Sequence, residues 1–368
     1  MKVLLWFLKN YPEIVAKMKE SNHSISNDNV SIYHAEGDIW THTMMVYSHI
    51  KHYSKGDEAD VELELAVLLH DIGKPDCKKI SSDEDRFSFT GHENLSTFLA
   101  IDILNKYKKE KDSSINIPKI LHAINYHSVL HRMVKQDENG DFFIPEEKKR
   151  KVNEMFDTGL GFHLDVYELL FNLSKVDSAG RISIDEKETM EKYSILENYI
   201  PYKGVNASHS SDAPEAHFMI GLPGSGKSTK IDELLIKNPN LIVLSVDDEV
   251  MRLAKYSDSY DSSYTAKRNK EASQNMLLKM KELILENKSF IFDATNFSED
   301  IRQRRLSAVS GRYKKIGHLQ IAGFEFIKNV MKNRKDKSVP LDKILSMAQV
   351  FKYPSYVEFD EILIKEIK

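Results

Sequence analysis

Residues 217–228 read HFMIGLPGSGKS, and this stretch decides what kind of fold its half of the chain adopts. An apolar run reads as a strand, and KSTKIDELLIK beyond it reads as an amphipathic helix. Between them Gly221 to Ser228 fit the pattern Gly-x-x-x-x-Gly-Lys-Ser, whose strand and helix flanks make a chance match improbable. The glycines let backbone N–H groups turn inward around phosphate oxygens, and the helix N-terminus adds partial positive charge. Gly221, Gly224, Ser225, Gly226 and Thr229 are therefore expected to line a cradle for ATP. Lys227 is expected against the β- and γ-phosphates and Ser228 on a Mg2+ ion. The plain alternative is a glycine-rich turn without a nucleotide.

Outward from this stretch, short β runs alternate with helices: LIVLSV at 241–246, a long helix near Lys267 to Glu286, SFIFDA at 289–294 and HLQIAGFEF at 318–326. That alternation predicts a parallel sheet flanked by helices. Ligands of open α/β sheets sit at strand C-termini, where Asp247 and Asp248 follow one β run and Asp293 ends another. A carboxylate there can take a proton from an attacking hydroxyl, although an Asp pair after a strand can equally cap the next helix. Asp293 either helps to hold the metal and its waters or caps a helix. The basic run NVMKNRKDKSVPLDKILSMAQ either closes Arg334 over a transferring phosphoryl group or is solvated surface.

Taken together, GLPGSGKST, the pair at Asp247 and Asp248, DSSYTAKRNKE, DATN at 293–296, Arg304 and Arg305, and KSVPLDKILSM resemble the kinase domain of phage-type polynucleotide 5′-kinases. The resemblance spans most of residues 217–349. It implies that Asp247 is the general base toward a 5′-hydroxyl and that Arg334 is the lid arginine on the ATP phosphates. Where that family often carries an arginine for the acceptor's 3′-phosphate, this chain has Val250, with Arg252 two residues on.

The first two hundred residues read as helical almost throughout, with stretches such as VELELAVLLHDIG and LDVYELLFNLSKVD and no convincing strand alternation. The opening MKVLLWFLKNYPEIVAKMKE reads as one amphipathic core helix rather than a signal peptide. His42 lies on a helix, and His70 with Asp71 ends a strongly apolar one. Burying such a pair without a partner costs several kcal/mol, which a bound ion would offset. Asp177 likewise ends an apolar helix, and His92 and His127 are candidates for a second ion or for phosphate contact. Each alone is more simply a core histidine or a turn-forming aspartate. The order H, HD, H, H, D resembles the HD superfamily of metal-dependent phosphohydrolases over roughly residues 30–185, with HAEGDIWTHTMMV and LLHDIGKP the most specific pieces. The resemblance implies a first metal site of His42, His70, Asp71 and Asp177, and a second completed by His92 and His127 with Asp71 bridging. One or two divalent transition-metal ions (Mn2+, Ni2+ or Co2+) would polarise a phosphoryl oxygen and lower the pKa of a bound water. Lys74 either stabilises the phosphate charge or is a solvated helix-end lysine.

Composition bounds what else the chain can be. With 368 residues, two domains are natural at roughly 150 residues per domain. An all-α HD-type phosphohydrolase domain is expected at 1–201, a linker at 202–214 (PYKGVNASHSSDA runs out of periodicity there), and an α/β P-loop kinase domain at 215–368. The single cysteine, Cys77, excludes an internal disulfide framework and suggests a reducing, cytoplasmic setting. No apolar run reaches the ~20 residues needed to span a bilayer, so no membrane partner is expected. At a net charge of −4, nucleic-acid contact must be local, around Lys267, Arg268, Arg304 and Arg305. Adding phosphate and removing it are compatible in one chain if they act at different positions of one substrate, as at RNA or DNA ends. The expected function is end healing: 5′-hydroxyl phosphorylation together with removal of 3′-phosphate or 2′,3′-cyclic phosphate, ahead of a polynucleotide ligase. The alternative is an HD nucleotidase fused to a nucleoside or other small-molecule kinase.

Overall fold

Helix Val61–Leu69 is apolar on every side except at Glu62 and Glu64, so the first half of the protein must form around it. Residues Leu65 to Leu69 are fully buried, and Glu64, buried beside them, accepts from Tyr47 Oη at 2.7 Å. The structure is a computed structural model, and the residues it describes are 2–24, 34–52, 60–80, 87–154, 164–182, 186–199, 209–254, 266–334, 339–354 and 358–367. Around the central helix pack Ile39–His49, His92–Glu110, Ile117–Tyr126 and Leu164–Ala179. Several of these helices start on a side-chain cap: Asp38 accepts from Thr41 N, Asp60 from Glu62 N, and Asn116 from Lys119 N.

Two expectations for this half need correction. The opening segment is two helices, Lys2–Asn10 and Pro12–Lys19, because Pro12 lacks the N–H to continue the first and suits the first position of the second. The half is also not wholly without strands: two-residue antiparallel pairs join Lys79–Ile80 to Phe87–Ser88 and Lys135–Gln136 to Phe142–Phe143. Neither changes the all-α architecture.

The second half is a five-stranded parallel sheet. Its strands are β1 (Glu215–Ile220), β2 (Ile242–Ser245), β3 (Phe290–Asp293), β4 (Lys314–Ala322) and β5 (Glu361–Ile367), in the order β2-β3-β1-β4-β5. Burial on both faces explains runs such as FIFD, which do not alternate. β5 was not anticipated: in EILIKEI the charged residues fit an edge strand but weaken the apolar signal.

The chain divides into two units, Met1–Lys203 and Gly204–Lys368. Of the stretch expected as a linker, 202–208 lie outside the described residues. The remainder rests on the second unit, with His209 Nε2 3.1 Å from Asp360 Oδ2 and Lys314 N donating to Pro214 O at 2.9 Å. Among the described residues no helix is long and apolar enough to cross a membrane.

Candidate functional sites: a histidine and aspartate cluster and a phosphate cradle

Five helices deliver the six residues of the first site. His42 projects from Ile39–His49, His70 and Asp71 follow the last turn of Val61–Leu69, and His92 opens His92–Glu110. His127 caps the end of Ile117–Tyr126, and Asp177 lies in the last turn of Leu164–Ala179. A hydrogen bond from Gly73 N to Ser96 Oγ at 2.9 Å fixes the HD turn against the helix that starts at His92.

Three of the histidines are oriented in the same way. His70 Nδ1 donates to Val67 O at 2.7 Å, His92 Nδ1 to Phe89 O at 2.9 Å and His127 Nδ1 to Ile124 O at 2.7 Å. Each ring is thereby oriented with Nε2, the nitrogen that offers a lone pair when the ring is neutral, facing the aspartates. Asp71 Oδ2 lies 3.2 Å from His70 Nε2 and 3.8 Å from His42 Nε2. Its other oxygen, Oδ1, lies 3.2 Å from His92 Nε2 and 3.8 Å from His127 Nε2. Asp177 Oδ1 is 2.9 Å from His42 Nε2 and 3.5 Å from His70 Nε2. Three overlapping sets of donors result among the described residues: His42, His70 and Asp71; His70, His127 and Asp177; and Asp71, His92 and His127.

The electrostatics of the cluster ask for positive charge. Burial works against the charge of Asp71, but His70 and Lys74 beside it hold its carboxyl well below the ordinary range. Burial also opposes the His70 cation, yet Asp71 and Asp177 push its pKa up to about 10. His127 goes the other way: burial and the nearby His70 charge bring it to about 4. The atoms His42 Nδ1, His70 Nε2, His92 Nε2 and both oxygens of Asp71 are buried without a well-directed hydrogen bond. Orphaned lone pairs of imidazole and carboxylate, converging from several helices, fit a divalent ion. Lys74, 5% exposed, is not a solvated lysine: its Nζ sits 2.7 Å from Asp71 Oδ2.

The sequence reading assigned nothing to the next ring of residues, His23, His34 and Glu36. His34 and Glu36 stand inside the motif HAEGDIWTHTMMV and so were visible in outline; His23 has no local signal, because only folding brings it to Lys74.

In the second unit the loop from Gly221 joins β1 to helix Lys227–Lys237. Gly224 and Gly226 have φ of 79° and 83°, the left-handed conformation that turns successive N–H groups to one side. Lys227 Nζ donates to Gly221 O at 3.0 Å and Leu222 O at 2.9 Å, which keeps the ammonium folded over the loop. Ser228 and Thr229 are exposed on the first turn. The donor set, with a hydroxyl beside a ring of backbone N–H groups, fits a nucleotide triphosphate with Mg2+.

Asp293 ends β3 opposite Ser245 at the end of β2, and Asp247 follows in the first turn of helix Val246–Leu253. Both carboxylates therefore stand at the same edge of the sheet as the glycine loop. Neither is a helix cap: Ser245 caps the helix after β2 and Ser298 the one after β3. Helix Phe324–Asn333 lays Ile327, Val330 and Met331 against Gly224, and Arg334 caps its end, just past the loop. Residues 261–265 and 335–338, which fall in the tyrosine-bearing and lid segments, lie outside the described residues.

Arg305 is placed differently from expectation, and Arg252 is held by a carboxylate on its own helix. Arg305 is not part of an exposed basic groove: its guanidinium stacks over the Phe292 ring at 4.8 Å and donates to Asn296 Oδ1, and burial lowers its pKa to about 10. Arg252 is forked onto Glu249, with Nε and Nη2 at 2.7 and 2.6 Å from its oxygens. Two residues given no role turn out to brace the site. Asn296 is fully buried with φ of 48°, and its Nδ2 donates to Met219 O at 2.7 Å, while Gly221 N donates to Thr295 O at 3.0 Å. Arg302 is fully buried and bidentate on Glu358 at 2.8 and 3.0 Å.

Residues 39–155 match the HD domain family, and residues 217–354 match the family described as AAA domain. Asp177 lies beyond the HD match. Solved structures similar to parts of the chain include the following. A chain of "Structure of the Pnkp1/Rnl/Hen1 RNA repair complex" is 20% identical over 40% of this protein and 48% of that chain, with a TM-score of 0.33. One of "Structure of Pnkp1/Rnl/Hen1 complex" is 19% identical over 36% and 43%, TM-score 0.29. A gluconokinase from Sinorhizobium meliloti 1021 is 11% identical over 42% and 83%, TM-score 0.31. The protein thus spans about half the length of the RNA-repair chains it matches. No curated protein matches it.

Proposed function

For a chain that joins an HD domain to a P-loop domain of the AAA type, we propose a bifunctional end-healing enzyme. The kinase half transfers the γ-phosphate of ATP to a polynucleotide 5′-hydroxyl. The phosphohydrolase half removes a 3′-phosphate or opens and removes a 2′,3′-cyclic phosphate, leaving ends that a polynucleotide ligase can join. The observation that carries this reading is the coexistence, in one chain, of a buried His and Asp cluster and a glycine phosphate cradle.

In the kinase site, Asp247 accepts the proton of the attacking 5′-hydroxyl as that oxygen bonds to the γ-phosphorus and the bond from that phosphorus to the bridging oxygen breaks, releasing ADP. Lys227 and the loop N–H groups would hold the phosphates in line, Ser228 and Asp293 would hold a Mg2+ ion, and Arg334 would approach the transferring group. In the phosphohydrolase site, His42, His70, Asp71 and Asp177 would hold one divalent ion, and His92 and His127 a second that shares Asp71. Mn2+, Ni2+ and Co2+ all suit such imidazole and carboxylate donors. The metal supplies Lewis acidity toward a phosphoryl oxygen. Lys74, fixed at the edge of the cluster, places a positive charge beside the phosphate to be released.

The test is an end-group assay on matched RNA and DNA oligonucleotides with 5′-hydroxyl and 3′-phosphate or cyclic phosphate ends, with a mononucleoside as competing acceptor. Faster phosphorylation of the oligonucleotide than of the nucleoside supports the reading. Phosphorylation of the nucleoside alone, or no phosphate release from either 3′ end with added Mn2+, overturns it.

A further inference from the structure

Outside the ring of candidate ligands lies a buried layer that neither half of the reaction requires. Glu36 is its centre: the side chain is fully buried, accepts hydrogen bonds from His34 and Ile182, and stands beside His42 Nδ1. Its Oε1 receives His34 Nδ1 at 2.9 Å and stands 2.7 Å from His42 Nδ1, while its Oε2 receives Ile182 N at 3.0 Å. Ala35 N donates in turn to Ile182 O at 3.0 Å, so the segment carrying Glu36 is tied to the residues just beyond the helix that carries Asp177.

His42 differs from the other three histidines of the cluster in one respect. Those three, each at a helix end, donate Nδ1–H to the backbone carbonyl three residues before them, whereas His42 lies inside a helix, where the carbonyls are already used. Only an outside acceptor can fix its ring, and Glu36 occupies that position. We propose that Glu36 is a positioning residue for His42: its carboxylate receives Nδ1–H, directs Nε2 toward Asp177 and Asp71, and raises the ring's basicity toward a bound divalent ion. The inference rests on the proposed metal-dependent phosphohydrolase site.

A competing assignment is a third cation held by His23, His34 and Glu36, whose donor atoms lie within 4.8 Å of one another. The hydrogen bonds decide against it. His23 uses Nδ1 on Gly37 O at 3.2 Å and Nε2 to accept from Lys74 Nζ at 3.3 Å, which places an ammonium where a second cation would have to come. His34 uses Nδ1 on Glu36, and Glu36 has its oxygens engaged. A satisfied network next to a fixed lysine orients neighbouring groups; it does not offer open ligand positions.

The experiment compares the full-length wild type with Glu36→Ala and Glu36→Gln after removal of metal with a chelator. Mn2+ affinity and stoichiometry are read by titration calorimetry, and 3′-phosphate release is measured as a function of Mn2+. The expected result is a Kd for Mn2+ raised about 10- to 100-fold by Glu36→Ala, with no change in ions bound per chain, and phosphate release restored at high Mn2+. Glu36→Gln, whose amide oxygen still accepts from His42, should raise the Kd less than Glu36→Ala but measurably, and it carries the test if the alanine variant does not fold. Transfer of phosphate from ATP should persist in both as a check on the fold. A Kd within twofold of wild type in both variants, or the loss of one whole ion per chain, overturns the inference. A wild type that binds no Mn2+ instead overturns the metal-site reading on which it stands.

Discussion

Asp177 Oδ1 lies 2.9 Å from His42 Nε2, although 135 residues separate the two in sequence. The contact depends on how closely helix Leu164–Ala179 approaches helix Ile39–His49. At Gly180, just past the first of these, a Cβ atom would come within 2.5 Å of the Val46 backbone. Gly180→Ala must therefore push the two helices apart, at a cost of about 1–3 kcal/mol. The expected outcome is weaker Mn2+ binding and slower 3′-phosphate release, with kinase activity unchanged. Titration calorimetry beside both activity assays checks it, and Mn2+ affinity equal to wild type would contradict it.

The two active sites should be separable by single substitutions. Asp71→Ala removes the carboxylate that turns one oxygen to His70 and the other to His92, and should lower phosphate release on the order of a thousandfold, since several kcal/mol of charge stabilisation disappears with the ion. Lys227→Ala should cut 5′-phosphorylation by on the order of 10²–10³. Each variant should leave the other activity within about twofold, on the view that the sites act independently. Measuring both reactions on both variants is sufficient, and a matched fall in the two activities would count against separate sites.

Arg302 supplies a stability prediction away from chemistry. Its guanidinium is fully buried, forks onto Glu358 and donates to the carbonyls of Asn296, Phe297, Lys352 and Tyr353. Arg302→Ala removes both hydrogen bonds to the buried Glu358 and those to the backbone carbonyls, breaking a buried charged pair, which should cost roughly 3–5 kcal/mol. Urea denaturation followed through ATP binding should show the second unit unfolding earlier. A midpoint within error of wild type would refute the assignment of Arg302 as a buried brace.

A pH dependence follows from His318, which is fully buried between the strands and accepts or shares a proton with His217 at 2.9 Å. Burial, with the His217 charge adding to it, lowers its pKa from 6.5 to about 3. Above pH 6.5 both the folded and unfolded states hold this ring neutral. As pH falls below 6.5 the unfolded chain takes up a proton that the folded one refuses, so stability is lost progressively from pH 6.5 toward 3. His318→Gln, which cannot titrate, should flatten that part of the curve. Unfolding midpoints between pH 7 and 4 for wild type and variant test it, and parallel curves would show that His318 does not contribute.

Much of the site could be read in one dimension because its chemistry is carried by local patterns. The cradle at Gly221 to Ser228 needs consecutive residues to turn successive N–H groups inward, so its signal is contiguous. The pair His70 and Asp71 is conspicuous because two polar residues end a helix that is otherwise buried. Asp177 is weaker by the same logic, a carboxylate at the end of an apolar helix. The Pro12 break, the β5 edge strand and the Asn296 brace were less legible: each depends on a neighbour far along the chain or on a charge pattern that resembles surface.

The amino-acid order alone determined the class of each half, helical before about residue 200 and strand-helix alternating after it. It also determined the short motifs, because periodicity and contiguous turns are properties of local backbone geometry. Tertiary packing alone decided that Asp71 turns one oxygen toward His70 and the other toward His92, that Glu36 reaches His42, and that Arg305 folds inward onto Phe292. Those relations depend on where separate helices and strands come to rest, and sequence spacing does not encode the direction in which a side chain finally points.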